Sequence, residues 1–252
     1  MNANIEARDS YLEFSMLLAN HVISYKAVYP KTRELFGEWA VCDGFVENDF
    51  ITVSKERMLL ARKLLGNNVS DSAVEFRALI GLTSRRLLSY RACIFHSVSF
   101  VFKGKAWLLA AESGVGKTTQ YKNWQSLFPD EITMISGDMP VLECKGAKSV
   151  MVYPSPWNGK EGIGNNISAP LGGIVVLERG VNNNIQKLSP TEAFEETFNR
   201  FIVMPDTEQE IRDFLSTVDT VLRSCPIWKL TNLGDDESTM LLKETISNNV
   251  NQ

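Results

Sequence analysis

The stretch AWLLAAESGVGKTTQYKNW, residues 106–124, constrains this chain more than any other part of it. A mostly apolar run reads as a strand, a turn carrying Gly114 and Gly116 follows, and Tyr121, Trp124, Leu127 and Phe128 then share one face of a helix. A strand, a glycine turn and a helix in that order point backbone amides at an anion. Glycine admits conformations closed to other residues, so successive N–H groups can converge, and the helix adds its unsatisfied amides and the positive end of its dipole. Residues 111–118, AESGVGKT, match the phosphate-loop pattern G-x-x-x-x-G-K-[ST], with Ala111 in place of the first glycine. The pattern implies ATP and Mg2+. Ser113, Gly114, Val115, Gly116, Lys117, Thr118 and Thr119 would form the cradle, with Lys117 a point charge on the β- and γ-phosphates and the Thr118 hydroxyl a metal ligand.

The rest of the composition narrows the field around that loop. With 252 residues, 44% of them hydrophobic and 22% charged, the chain can build a core without staples. A net charge of −4 argues against a nucleic-acid surface, which needs a basic face. No apolar run is long enough to span a bilayer, so no membrane role is expected. The opening MNANIEARDS has no basic region followed by an apolar run, and a cytoplasmic protein is expected. Cys42, Cys93, Cys144 and Cys225 are scattered without metal-type spacing and read as reduced packing thiols. His21 and His96 are the two histidines, too few for a histidine-rich metal site.

Along the chain, short strands are expected between Tyr11 and Tyr29 and in DFITVS, and Ser54 and Gly66 bracket a helix. SDSAVEFRALIGLTSRRLLSY reads as a long helix leading into a second region. There ACIFHSVSFVF and AWLLAA flank a Gly-containing turn and read as a hairpin, so the phosphate loop would leave an antiparallel pair rather than a plain βαβ unit. ITMIS, PVLEC, SVMVYP and GGIVVLE read as strands at short intervals. Ile211, Phe214, Leu215, Val218, Val221 and Leu222 form an apolar stripe expected to face the core. The expected organisation is an α+β region over 1–90, a phosphate-loop core over 91–235, and a C-terminal helix with a frayed tail over 236–252.

The residues around the loop carry a resemblance. FHSVSFVFKGKAWLLAAESGVGKTT resembles the core of the HPr kinase/phosphorylase family, whose fold is related to phosphoenolpyruvate carboxykinase. VEFRALIG, TTQYKNW, ISGDMPVL, YPSPWNGKEG and APLGGIVVLERGVNNNI look most like a bacterial kinase-like clade of that superfamily. The resemblance implies an α/β fold with a mixed, largely antiparallel sheet. It covers most of the chain beyond about residue 70 and matches the first part only loosely. It also implies that His96 sits near the γ-phosphate, where imidazole binds phosphate or tunes a base. Asp138 matches the second of the family's two adjacent aspartates, with Gly137 where the first would stand, and would hold Mg2+ or take a hydroxyl proton. HPr kinases assemble as hexamers, but without their interface residues that state does not carry over to this chain, and a homo-oligomer stays an open expectation.

Lys160 lies in the glycine-rich SPWNGKEGIGNN and would offer a second positive charge to a transferring phosphoryl group, with a solvated surface lysine as the competing reading. Asn165 and Asn166 would line an acceptor site, while Glu178 and Arg179 read as a structural ion pair or turn contact. The leading expectation is a kinase that moves the γ-phosphoryl group of ATP to a hydroxyl of a peptide, protein or small molecule. The competing expectations are a nucleotide-binding module without catalysis, favoured by Gly137, and carboxykinase-like transfer, for which the loop has few neighbouring arginines and metal ligands.

Overall fold

The computed structural model describes residues 11–41, 49–112, 114–158 and 164–250. The chain divides into two compact units, Met1–Thr83 and Ser84–Gln252.

In the first unit β1 (Leu12–Leu18) and β2 (His21–Ala27) form an antiparallel hairpin. Ala19 and Asn20 take φ of +49° and +65° in a two-residue turn, whose handedness suits twisted strands. Alternate residues bury on one face, and Phe14 stacks on its cross-strand partner Tyr25 at 5.2 Å. Helix α1 (Pro30–Phe36) lays Phe36 on that pair. β3 (Phe50–Thr52) joins β2 in parallel. α2 (Lys55–Leu65) starts at Ser54, whose side chain caps Arg57 N–H, and stops at Gly66 at φ +85°. α3 (Asp71–Leu87) brings the buried carboxylate of Glu75 to the start of α1, where it accepts from Val28 N at 2.8 Å, Tyr29 N at 3.1 Å and Thr32 Oγ1 at 2.5 Å. Tyr29 has no side-chain cap of its own to offer there, so Glu75 supplies the cap from elsewhere in the chain.

The second unit is built on a mixed sheet. In chain order its elements are β4 (Ala92–Phe95), β5 (Val98–Phe102), β6 (Lys105–Ala110), α4 (Lys117–Leu127), β7 (Ile132–Ser136), β8 (Val141–Cys144), β9 (Val150–Tyr153), β10 (Ala169–Arg179), β11 (Asn184–Lys187), α5 (Pro190–Thr197), β12 (Phe201–Ile202), α6 (Glu208–Ser224), β13 (Ile227–Asn232) and α7 (Asp236–Val250). The sheet runs β12-β4-β8-β9-β10-β6-β5-β7, with β13 also on β10 and β11 outside β13. Most pairings are antiparallel, but β6, β10 and β13 are mutually parallel through β10. The strand that leads into the glycine turn at 114–116 therefore has an antiparallel neighbour, β5, on one side and a parallel one, β10, on the other.

Both faces of β6 and β10 are covered, which explains why AWLLAA and GGIVVLE read as nearly continuous apolar runs. Leu108, Ala110, Ile174 and Val176 pack toward Phe214, Val218 and Val221 of α6. Trp107, Leu109, Val175 and Leu177 pack with Tyr121 and Trp124 of α4 and Leu242 and Ile246 of α7. Trp124 is fully buried against Phe100, Phe102 and Phe128 at 5.0–5.4 Å, which fixes α4 on the sheet.

Two expectations change. Of ACIFHSVSFVF only VSFVF is an arm of the expected hairpin, β5 pairing antiparallel with β6. Phe95 N–H donates to Pro140 O, His96 N–H to Arg200 O and Ser97 N–H to Asp138 O, so the backbone changes partner at His96 and splits into β4, beside β8 and β12, and β5, beside β6 and β7. On α6, Ile211 and Leu215 are exposed at 45% and 47%, while Phe214, Val218 and Val221 are buried and Leu222 is partly buried against the core. Among the described residues no helix is long and apolar enough to cross a membrane.

Candidate functional site

β6 delivers the chain into the core up to the fully buried Ala111, and the loop that follows turns back into α4. Gly114 and Gly116 have φ of +80° and +122°, where a side chain would be strained, so the two glycines are required by the path of the backbone. Gly116 is the N-cap of α4 and offers no side-chain cap, whereas Ser54, Ser189 and Thr207 cap α2, α5 and α6. Among the described residues no side chain caps the first amides of α4, which lie beside an exposed Thr118 and Thr119. Lys117 Nζ folds back to donate to Ala111 O at 3.0 Å. Burial lowers the pKa of that ammonium, the charge of Asp138 raises it and the charge of Arg200 lowers it.

Arg179, at the end of β10, donates to Gly114 O at 2.7 Å and reaches Val115 O at 3.4 Å. In a planar trans peptide the carbonyl and the next N–H point in opposite directions. Holding the Val115 carbonyl on the Arg179 side therefore turns the Gly116 N–H to the other side of the loop. Glu178 does not pair with Arg179; it binds Lys229 at 3.0 Å and Thr231 at 3.2 Å. From below, the buried Gln120 bonds to Thr239 and Ser238, and Asn123 to Gly234 O, so α4 is tied to the start of α7 as well as to the sheet.

His96 occupies the break between β4 and β5, and Asp138 the turn between β7 and β8. The crossed backbone bonds at Phe95 and Ser97 zip these two turns together and set His96 Nε2 3.1 Å from Asp138 Oδ1, with both side chains about three-quarters buried. Arg200 closes a third side. It ends the 3-10 turn Phe198–Arg200, and its guanidinium stands 3.8 Å from the Glu112 carboxylate. Its Nε is buried and meets no hydrogen-bond acceptor among the described residues. Lys117, Asp138, His96, Arg200 and Glu112 thus converge around one end of β6.

Ser113 and Lys160 lie outside the described residues. The segment holding Lys160 is flanked by two ties to Ser136: its Oγ donates to Asn158 Oδ1 at 3.0 Å, and its backbone bridges Gly164. Asn165 Nδ2 donates to Met134 O, which is a structural bond to β7. Arg200 and the loop grip of Arg179 escape sequence reasoning. Arg179 had a faint signal, as the first cation after an apolar strand, and Arg200 had none, because only the β4–β12 pairing of Phe95 with Phe201 brings it here.

No protein-family model matches the chain, and no curated protein matches it. Among solved structures, one similar chain is the HPr(Ser) kinase/phosphatase from Coxiella burnetii, at 10% identity and a TM-score of 0.33, covering 63% of this chain and 95% of that one.

Proposed function

We infer that the protein is a phosphotransferase that uses ATP with Mg2+ and phosphorylates a hydroxyl on a peptide, protein or small molecule. One observation carries the reading. Gly114 and Gly116 turn the chain into a helix that no side chain caps among the described residues, and Lys117 at its start lies within electrostatic reach of the Asp138 carboxylate. The resemblance of residues 95–119 to HPr kinases supports it.

In this reading the loop amides and Lys117 bind the phosphates of ATP. Thr118 and Asp138 would hold Mg2+, which supplies charge neutralisation on the phosphate oxygens; one or two protein oxygens suit an ion that keeps waters and phosphates as its other ligands. His96 orients Asp138 through Oδ1. The acceptor's hydroxyl proton passes to Asp138 or His96 as the acceptor oxygen bonds to the γ-phosphorus, and the bond from that phosphorus to the β,γ-bridging oxygen breaks, leaving ADP. Lys117 and Lys160 offset the charge that spreads over the phosphoryl oxygens.

Gly137, in place of a second aspartate, favours a second reading: a module that binds nucleotide without turnover. Mass spectrometry of serine-bearing acceptors incubated with MgATP separates the two. Phosphoryl transfer that Asp138→Asn abolishes while nucleotide binding persists supports the kinase. Binding without transfer to any acceptor by the wild type supports the silent module.

A further inference from the structure

Arg200 is set on this site by its backbone. Its carbonyl accepts His96 N–H at 2.8 Å, and the next residue, Phe201, turns into the core against Phe95 at 4.8 Å. These contacts belong to the main chain and to Phe201, so the guanidinium is placed without being used to hold the fold.

That guanidinium is under-satisfied. Its side chain is 16% exposed, its Nε is buried with no acceptor, and Glu112, 82% exposed, stands beyond hydrogen-bond distance at 3.8 Å. Buried donors in native proteins are nearly always paired, so an orphaned one beside a loop built for anions points to an anion. A second cation, Lys117, shares the same space, and the two charges repel: Arg200 is among the groups that lower the Lys117 pKa. Asp138 offsets part of that repulsion and Glu112 faces Arg200 only at 3.8 Å, so a multiply charged ligand that reaches both cations still suits the space. Arginine suits that task, because its planar fork presents several donors to phosphate oxygens at once.

We propose that Arg200 grips the terminal phosphoryl group of a bound nucleoside triphosphate and makes the site distinguish triphosphate from diphosphate. This rests on the phosphotransferase reading above. Because the contact is to the γ-phosphoryl group, which only the triphosphate carries, its loss must fall on the triphosphate and spare the diphosphate, a selectivity that a purely structural arginine would not show.

The test is calorimetric titration of the full chain with MgADP and with the hydrolysis-resistant β,γ-imido analogue of MgATP, for wild type, Arg200→Gln and Arg200→Lys. A charge-assisted contact of this kind is worth about 10- to 100-fold in affinity. Arg200→Gln is expected to lose that much for the imido triphosphate while MgADP stays within about twofold, and Arg200→Lys is expected to lose part of it. Equal losses for both nucleotides, or none for either, overturn the assignment and leave the phosphotransferase reading standing. A wild type that binds neither nucleotide overturns that reading, and the assignment with it. Should Arg200→Gln fail to fold, Arg200→Lys, which keeps the charge, carries the same comparison.

Discussion

Removing Arg179 should loosen the glycine turn at 114–116 before it disturbs anything else. Its side chain holds the loop from outside through the Gly114 carbonyl at 2.7 Å and the Val115 carbonyl at 3.4 Å. The shorter contact is charge-assisted, which in a buried setting contributes about 1.5–3 kcal/mol; the longer one adds little. Both are solvent-exposed, so about 1 kcal/mol is the appropriate figure for the pair. That energy now biases Gly114–Gly116 toward one backbone arrangement, and Arg179→Ala releases it. Amides of residues 114–117 should then exchange hydrogen about fivefold faster, since about 1.4 kcal/mol corresponds to a factor of ten. MgATP affinity should fall by a similar factor, because the ligand must now order the loop itself. The global melting temperature should hardly move, since Arg179 lies at the exposed end of β10. Hydrogen exchange followed by mass spectrometry, together with calorimetry, reads all three. Unchanged exchange in the loop, or exchange accelerated equally across the core of the sheet, would refute the idea that Arg179 preorganises the cradle.

Three further perturbations bear on the fold and the site. Trp124→Ala should cost about 3–5 kcal/mol in urea unfolding, because it empties the aromatic cluster that seats α4; a cost under about 1 kcal/mol would show that α4 is held elsewhere. Glu75→Ala strands the Val28 and Tyr29 amides and should destabilise the first unit by about 3 kcal/mol, with loss of exchange protection at those two amides in the full chain; retained protection there contradicts its capping role. Lys117→Met should raise the melting temperature of the nucleotide-free protein at pH 7, since burial lowers the lysine pKa and the folded state disfavours the ammonium. That gain should shrink as pH climbs through the lowered value toward the ordinary 10.5, above which lysine is neutral folded and unfolded alike; a gain independent of pH contradicts the burial argument.

The legible parts of this molecule are those where chemistry and local conformation coincide. Ser54 and Gly66 bracket α2 because a hydroxyl cap and a left-handed glycine are local requirements. Lys103–Gly104 announces the β5–β6 turn for the same reason, while the matching turn at Ala19–Asn20 is silent, since alanine seldom takes a positive φ. The glycine turn at 114–116 is legible because no other residue type tolerates its angles. What stays hidden depends on pairing between distant segments. The break at His96 is invisible in ACIFHSVSFVF, since it arises from the carbonyls of Pro140, Arg200 and Asp138 each accepting one of three successive amides. Ile211 and Leu215 carry the right period for a core stripe, but α6 presents a narrower face to the sheet than their spacing suggests. Arg200 enters the site through the same pairing, as does Glu75 at the head of α1.

The most direct measurement of the central claim, that the turn from Gly114 to Thr118 and the Lys117 ammonium hold a triphosphate, is calorimetric titration of wild type and Lys117→Ala with ATP in the presence and absence of Mg2+. Wild type is expected to bind, more tightly with the metal, and Lys117→Ala to bind at least about tenfold more weakly. Equal affinities for the two proteins, or no binding by wild type under either condition, would contradict it.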